Sequence, residues 1–475
     1  MKMKKFLPLS MALAAAVCLC ACGQQEDSGE DKIILRVANC EEYIDLGEWD
    51  EEEDLIELPD GTEILGENAL YEDFAKWYEE EYGTEVEVQY STYGTNEDLY
   101  NQLTIGDVYD LVCPSDYMIM KMMREGLLEP YSEDFYDKST PGNYYINGVS
   151  PFIAKTFSDL EIGGESIDKY AAGYMWGTLG MVYNPEGISQ EEASHFNVAL
   201  NDNYYRSVTI KDSVRDTYFA ALAMYYYDEL TDPELMASED YHERISEILN
   251  RTDEETVAGV EKILQQAKNN VYSFETDSGK ADLVSGKIYA SLQWSGDAVY
   301  TMDQAEEDGV ELCYAAPEEG TNIWFDGWVM LKDGLAEDPR KQQVAEAFLN
   351  YISMPENAIR NMYYIGYTSC ISGGDSDLIF DYVNWCYEAD PEEDDETVEY
   401  NNIGYFFCDD SEESNEKYTV LTTPDQLNRQ LYTQYPPKDV VDRGVIMRCF
   451  DEEDNKRINR SWVNIRCFDL KSLFE

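Results

Sequence analysis

The chain has 475 residues, with 98 aspartates and glutamates against 34 lysines and arginines, and a formal net charge of −64 at pH 7. So large an acidic excess excludes a nucleic-acid footprint, which needs clustered basic residues. It also opposes adhesion to anionic headgroups and favours cationic ligands, whose local concentration a negative field raises, although solubility in a charged or salty setting accounts for it equally.

The length suits two lobes with a large buried core. The first five residues, Met1-Lys2-Met3-Lys4-Lys5, precede an apolar stretch at 6–21. A basic start, a short apolar run and a small-residue exit make a secretory signal at 1–21 rather than a spanning helix. The run falls short of the roughly 20 residues a span needs, and Pro8 and Ser10 weaken it. Its end, Leu19-Cys20-Ala21-Cys22, resembles the bacterial lipobox, which implies lipidation of Cys22. Two acyl chains on one cysteine supply the two signals that stable anchoring takes. Removal of residues 1–21, which carry three lysines and no acid, takes the net charge from −64 to −67. Residues 22–31 are polar and read as a tether. No second apolar segment approaches bilayer length, so the membrane is expected to be met through the lipid alone, with the body outside the cytoplasmic membrane.

Residues 33–39 are β-branched and weakly alternating, which predicts a strand. The stretch 45–66 holds four successive acids, Glu51 to Asp54, and a Pro59-Asp60-Gly61 turn; it reads as a solvated loop or small hairpin. Leu70, Phe74, Trp77 and Tyr78 share one face of a helix ended by Gly83. A half-buried strand at 85–90, a short helix at 96–104, a strand at 108–113 and a helix at 117–125 follow. This alternation predicts an α/β lobe. Residues 170–184 are apolar, glycine-punctuated and strand-like, and suit a crossing between lobes. Helices are predicted at 216–227 and 254–268, the second buried through Val257, Val260, Ile263, Leu264 and Ala267. Strands follow at 288–294 and 327–332. Val344, Ala347, Phe348, Tyr351 and Ile352 mark a further helix, and 388–399 is an acidic low-complexity loop.

Eight cysteines lie beyond Cys22, at 40, 113, 313, 370, 386, 408, 449 and 467. None forms Cys-x-x-Cys, and His195 and His242 both sit in acidic polar stretches that read as surface, so no metal or cofactor is expected. Disulfides are compatible with an exported body, but the spacing leaves pairing open; Cys113, in an apolar strand, reads as a buried thiol.

Five segments pair rings with polar or acidic groups in or just after strand-like stretches. They are Glu41-Glu42-Tyr43, Ser115-Asp116-Tyr117, Tyr174-Met175-Trp176, Gln293-Trp294-Ser295-Gly296-Asp297 and Trp324-Phe325-Asp326. Strand ends at a cleft are where α/β sheets bind ligands. An alkyl diamine or triamine needs carboxylates and ring faces for its ammonium groups, because an unpaired buried charge costs several kcal/mol. Its methylene chain needs flat apolar walls, which Trp and Tyr provide. Each cation–π contact contributes about 0.5–2 kcal/mol, so several must act together. Taken singly, each segment also reads as chance in a chain with 38 tyrosines and 98 acids.

In their order along the chain, certain runs resemble the spermidine/putrescine-binding proteins of ABC importers. These are Tyr90 to Glu97, Tyr109 to Tyr117, Tyr174 to Thr178, Ile323 to Asp326, and Pro355 through Tyr367. The resemblance spans about residues 33 to 370. It implies an α/β, two-lobed periplasmic-binding-protein fold of type II, each lobe a mixed sheet flanked by helices and the pair closing like a hinge. Lobe 1 would comprise 32–176 and 326–372; lobe 2, 177–325 and 373–475 with an acidic insertion. It implies a monomer without catalysis that passes a polyamine to a permease.

Carried over residue by residue, Glu42 and Tyr43 match a first-strand ligand pair, and Ser115 and Tyr117 the second-strand contacts. Asp216 matches an amine-binding acid. Trp294 and Trp324 match the rings that sandwich the alkyl chain, Asp326 the main ammonium-binding carboxylate, and Tyr367 a further ring. The chain departs from the family at Cys40, where Trp is usual, at Glu41, where Thr is usual, and at Ser213, where an acid is usual. Glu41 is expected to supply the displaced carboxylate and to matter to binding as much as Asp326. Two other readings compete. A glycoside hydrolase also uses paired acids, but no eightfold barrel pattern, Gly-x-Ser-x-Gly elbow or metal cluster supports an enzyme. The same fold also serves binders of another organic cation, a sugar or a metal.

Overall fold

The computed structural model describes residues 32–276, 278–390, 394, 396–400, 402–408 and 411–467. The expected signal, Cys22 and the tether lie outside the described residues, as does part of the acidic stretch 388–399.

Two long strands organise the molecule, Ala171–Tyr183 and Thr321–Leu331. They pair antiparallel, from Ile323 opposite Thr178 to Val329 opposite Ala171. Beyond one of them the sheet continues through Leu111–Val112, Ile33–Cys40 and Val86–Tyr93. Beyond the other it continues through Ala290–Trp294, Val208–Lys211 and Ser273–Glu275. Ile33–Cys40 and Val86–Tyr93 are parallel, so a crossover must join them. The helix Leu70–Tyr82 supplies it, burying Leu70, Phe74 and Tyr78 and ending at Gly83, whose φ of 68° closes the last turn. Both crossing strands are covered on both faces, which explains why Ala171–Tyr183 is buried throughout and Thr321–Leu331 everywhere but at Asp326.

Two cores result. The first gathers Leu35, Val37, Phe74, Trp176, Trp328 and Phe348; the second gathers Leu179, Met181, Ile210, Phe219, Leu264 and Leu292. The strand Ala171–Tyr183 therefore serves both, with Trp176 in one and Leu179 in the other. This is a mixed α/β fold in two lobes. Residues 373–475, expected to join lobe 2 together, divide between the cores. Ile379, Phe380, Val383, Phe406 and Leu431 pack in the first, and Val445, Met447, Phe450, Ile458 and Ile465 in the second. The physical reason is aromatic: Trp385 of helix Leu378–Tyr387 meets Tyr363 of helix Pro355–Ile365 at 6.2 Å. In turn Trp462 of helix Glu452–Arg466 meets Phe274 at 5.6 Å.

Two local expectations change. The 45–66 stretch does form a hairpin, Ile56–Glu57 with Glu63–Ile64, but Trp49, Ile56, Leu58 and Ile64 are buried rather than solvated. His195, expected at the surface, lies half-buried with Nδ1 2.8 Å from the buried Glu319 carboxylate, which raises its pKa. Among the described residues all eight cysteines are free, and no helix is long and apolar enough to cross a membrane.

Arg360, 6% exposed, joins three segments of lobe 1. Its Nε donates to Asp45 Oδ2 at 2.8 Å, Nη1 to Asp73 Oδ2 at 3.1 Å, and Nη2 to the Asn68 carbonyl at 2.9 Å. Burial pushes the Asp45 carboxyl up, and Arg360 is the largest opposing influence. Removing one partner of a buried pair costs about 3–5 kcal/mol, because the other charge is left uncompensated. Arg360→Met is expected to lose stability of that order in urea unfolding; a loss below about 1 kcal/mol would deny this linkage its role.

Candidate functional site

The two crossing strands fall out of register at one place. Asp326 is opposite Met175, and the next pair is Gly327 with Gly173, so Tyr174 is an extra residue in its strand. A bulge of this kind bends the strand and re-aims the side chains around it. Within Thr321–Leu331 every residue is buried except Asp326, which is half-buried. Ser115 bridges to it from the end of the adjacent first-lobe strand. Tyr43 Oη donates to Asp326 Oδ2 at 2.7 Å, and the Ser115 hydroxyl hydrogen-bonds the same carboxylate. Asn96 fixes Ser115, its Nδ2 donating to Oγ at 2.9 Å and its Oδ1 accepting from the Ser115 N–H at 3.0 Å. Loss of water pushes the Asp326 carboxyl up, and the two hydroxyls only partly oppose it. Among the described residues no lysine, arginine or histidine forms an ion pair with it.

Rings surround this carboxylate. Tyr43 meets Tyr174 edge-on at 5.5 Å and Tyr367 edge-on at 5.4 Å, and Tyr367 meets Trp324 at 5.6 Å. Tyr174 Oη and Asn39 Nδ2 both donate to the Tyr43 carbonyl, at 2.9 and 2.7 Å, which sets that ring. Two glycines permit the approach. A Cβ on Gly296 would lie 2.1 Å from the Tyr367 ring, and one on Gly177 2.6 Å from the Trp324 ring.

The second lobe meets this group through Tyr367, whose Oη donates to Asp297 Oδ1 at 3.3 Å. Asp297 lies in the first turn of helix Ser295–Glu307, just after strand Ala290–Trp294. Burial alone would push its carboxyl up, but Lys211 and Lys280 outweigh that and hold it below the usual range. Lys211 Nζ is 3.3 Å from Asp297 Oδ2, and Lys280 Nζ is 2.9 Å from Oδ1. Lys211 Nζ also sits 3.9 Å from the centre of the Trp294 ring, and Trp294 Nε1 donates to Asp216 Oδ1 at 3.2 Å. On the flank, the Arg215 guanidinium lies 5.0 Å from the Tyr117 ring, and Tyr117 Oη donates to Glu97 Oε1 at 3.1 Å. Asp116 beside them is buried, and burial raises its carboxyl to about 8.

Tyr43, Ser115, Trp324, Asp326 and Tyr367, all singled out in the sequence, thus form one contiguous group. Trp294 and Asp216 join it through Lys211 and Asp297, while Tyr117 stands to the side. Glu41 and Glu42 do not join. Both are exposed, and Glu42 holds a left-handed φ of 55°, part of the turn that buries Tyr43 and leaves the two acids in solvent. Ser213 is spent on the helix Val214–Tyr225, its hydroxyl accepting from the Asp216 N–H at 3.4 Å. Trp176 is core, fully buried between Phe152 and Phe406. Lys211, Lys280 and Arg215 were not singled out in the sequence, and Asp297 appeared there only within its Trp-containing segment.

Residues 73–375 match the model of a family described as bacterial extracellular solute-binding protein. A spermidine/putrescine-binding periplasmic protein of Salmonella typhimurium is 24% identical over 286 residues, covering 60% of this chain and 70% of that protein. A putrescine-binding periplasmic protein of Escherichia coli is likewise 24% identical over 286 residues, covering 58% and 68%. Among solved structures, the spermidine/putrescine ABC transporter substrate-binding protein of Streptococcus pneumoniae superposes with a TM-score of 0.57 at 21% identity, over 91% of this chain and 98% of that one. A putative spermidine/putrescine ABC transporter protein of Listeria monocytogenes gives 0.58 at 20% identity, over 92% and 99%. At that identity the superpositions establish the shared two-lobed fold. These proteins are carriers of solutes rather than enzymes. With its family match covering more than half its length, the chain belongs to the bacterial extracellular solute-binding proteins.

Proposed function

We propose that the protein is an exported, lipid-anchored monomer that takes a polyamine of the putrescine and spermidine class into the cleft between its lobes and delivers it to an ABC permease. The observation that carries this reading is Asp326, a half-buried carboxylate ringed by Tyr43, Trp324 and Tyr367 and given hydroxyl partners but no cation among the described residues. An ammonium group supplies what that carboxylate lacks, and the rings supply faces for the charge and walls for the methylenes. Relatives named for spermidine and putrescine binding support the same ligand class. In the closed arrangement the rings pack on one another. An amine therefore enters when the lobes part and Tyr367 leaves Gly296, and closure on the loaded cleft presents the complex to the permease.

The ligand class is tested by melting residues 23–475 with putrescine, spermidine, maltose or buffer. A ligand at 100 times its Kd stabilises by about 2.7 kcal/mol. A rise with the polyamines alone, persisting at moderate salt where diffuse attraction is screened, is the expected result. A rise with maltose alone, or with none of the three, overturns the reading.

Asp326 has opposite effects on stability and on binding. Its folded carboxyl lies above its unfolded value, so its favourable contribution is fully present below about pH 4 and is lost as pH rises through the raised value. Asp326→Asn removes that loss. The amine-free variant is expected to melt higher than wild type at pH 7, yet to bind amine about thirtyfold more weakly or worse. Glu41→Gln, at an exposed carboxylate, is expected to cost less than about 1 kcal/mol of binding. Equal losses in the two variants would restore to Glu41 a role equal to that of Asp326. The anchor is tested by Cys22→Ser, which is expected to release the protein from the membrane fraction; retention there would refute lipidation at that residue.

A further inference from the structure

Lys211 closes the strand Val208–Lys211 at the cleft and is 1% exposed. A buried ammonium must replace its lost hydration, and it has three donors with which to do so. Lys211 Nζ finds Asp297 Oδ2 at 3.3 Å and the Thr276 carbonyl at 3.3 Å, and lies 3.9 Å from the centre of the Trp294 ring. A carboxylate, a carbonyl and an indole face are the environment that an amine ligand's own ammonium requires. The carboxylate is also fully engaged: Lys280 Nζ at 2.9 Å and Tyr367 Oη at 3.3 Å both reach Oδ1. Asp297 therefore brings no net negative charge to a ligand, and the near face of Trp294 is covered. Of the other ligand-matched carboxylates, Asp326 has no cation beside it among the described residues, and Asp216 carries no lysine, with only the Arg215 guanidinium standing near it.

We infer, resting on the polyamine reading above, that Lys211 is a tethered ammonium standing in one amine position of the cleft, and that it makes this protein prefer diamines to triamines. The two remaining carboxylates meet the two ends of a diamine. The third ammonium of a triamine meets Lys211 instead, and like charges at that range repel.

The test is calorimetric titration of putrescine and spermidine into wild type, Lys211→Met and Lys211→Thr, with melting curves to establish folding. Met keeps the apolar stem and removes the charge; Thr also opens space beside Trp294. Wild type is expected to bind putrescine more tightly than spermidine. Each folded variant is expected to shift the ratio toward spermidine by about tenfold, equivalent to about 1.4 kcal/mol. Tighter binding of spermidine by wild type overturns the inference even if neither variant folds. An unchanged ratio in folded variants overturns it too, while leaving the polyamine reading intact. No binding of either amine by wild type removes the polyamine reading and this inference together.

Discussion

The carboxylate of Asp326 is the constraint around which the cleft is built. A charge on a strand that is otherwise buried throughout is tolerated only where water, a hydrogen bond or a countercharge reaches it. The bulge at Tyr174 provides that place, because one extra residue shifts the register in the first lobe, a few residues short of where the strand passes from Trp176 to Leu179 between the cores. Tyr43 and Ser115 then come from two first-lobe strand ends to meet the carboxylate. Their hydroxyls stabilise the anion incompletely, which leaves it available to a cation. A fully satisfied carboxylate would make a better core and a poorer receptor.

The architecture allows the cleft to open without unfolding. Each lobe has its own apolar core, so parting them exposes contact surface rather than either interior. Besides ring packing, as of Trp294 against both cores, the contacts that span the cleft include polar and cation–ring pairs. Arg124 donates from lobe 1 to the carbonyls of Cys449 and Phe450, at 3.0 and 3.1 Å. Arg215 lies against Tyr117, and Tyr367 reaches Asp297. Such bonds exchange for bonds to water at small net cost. The crossing strands run continuously from one lobe to the other, and their covered faces hold the two halves of the sheet in line.

What was legible in the sequence follows the strength of the local signal. The helix at Leu70–Tyr82 announced itself through Leu70, Phe74 and Tyr78 and its glycine stop, and the structure has the same bounds within a residue. The crossing strand at 171–183 was legible from its glycine-punctuated apolar run. Its partner was read only from 327 onward; residues 321–326 mix Thr, Asn, Trp and Asp and mimic no single period, although pairing with the first strand makes them extended. The helix Leu378–Tyr387 is hard to read for a similar reason. In Leu378–Tyr387 nearly every position is apolar or aromatic, so no one face stands out, and its tertiary partner Tyr363 is distant in sequence. At the site, Asp326, Tyr43 and the tryptophans were legible because rings beside acids are conspicuous. Lys211 was not: a lone lysine at a strand end is ordinarily a solvated residue, and only the fold shows Trp294 and Asp297 closing over it.

That lysine separates two roles of charge that the composition had merged. The acidic body, at −64, acts over distance; its field concentrates cations near the protein without distinguishing among them. At physiological ionic strength this attraction fades within about 8 Å of an exposed charge. Within the cleft the spacing of individual groups governs, and there the balance is far from uniformly acidic. Asp297 is offset by two lysines, and Arg215 stands beside Asp116 and Asp216. On the proposed reading, attraction of amines as a class belongs to the surface, while discrimination among them belongs to the few positions where a carboxylate is left without a lysine of the chain's own. On that reading, adding acid to the surface would raise the rate of encounter for every amine alike, whereas moving one buried ammonium would change which amine is retained.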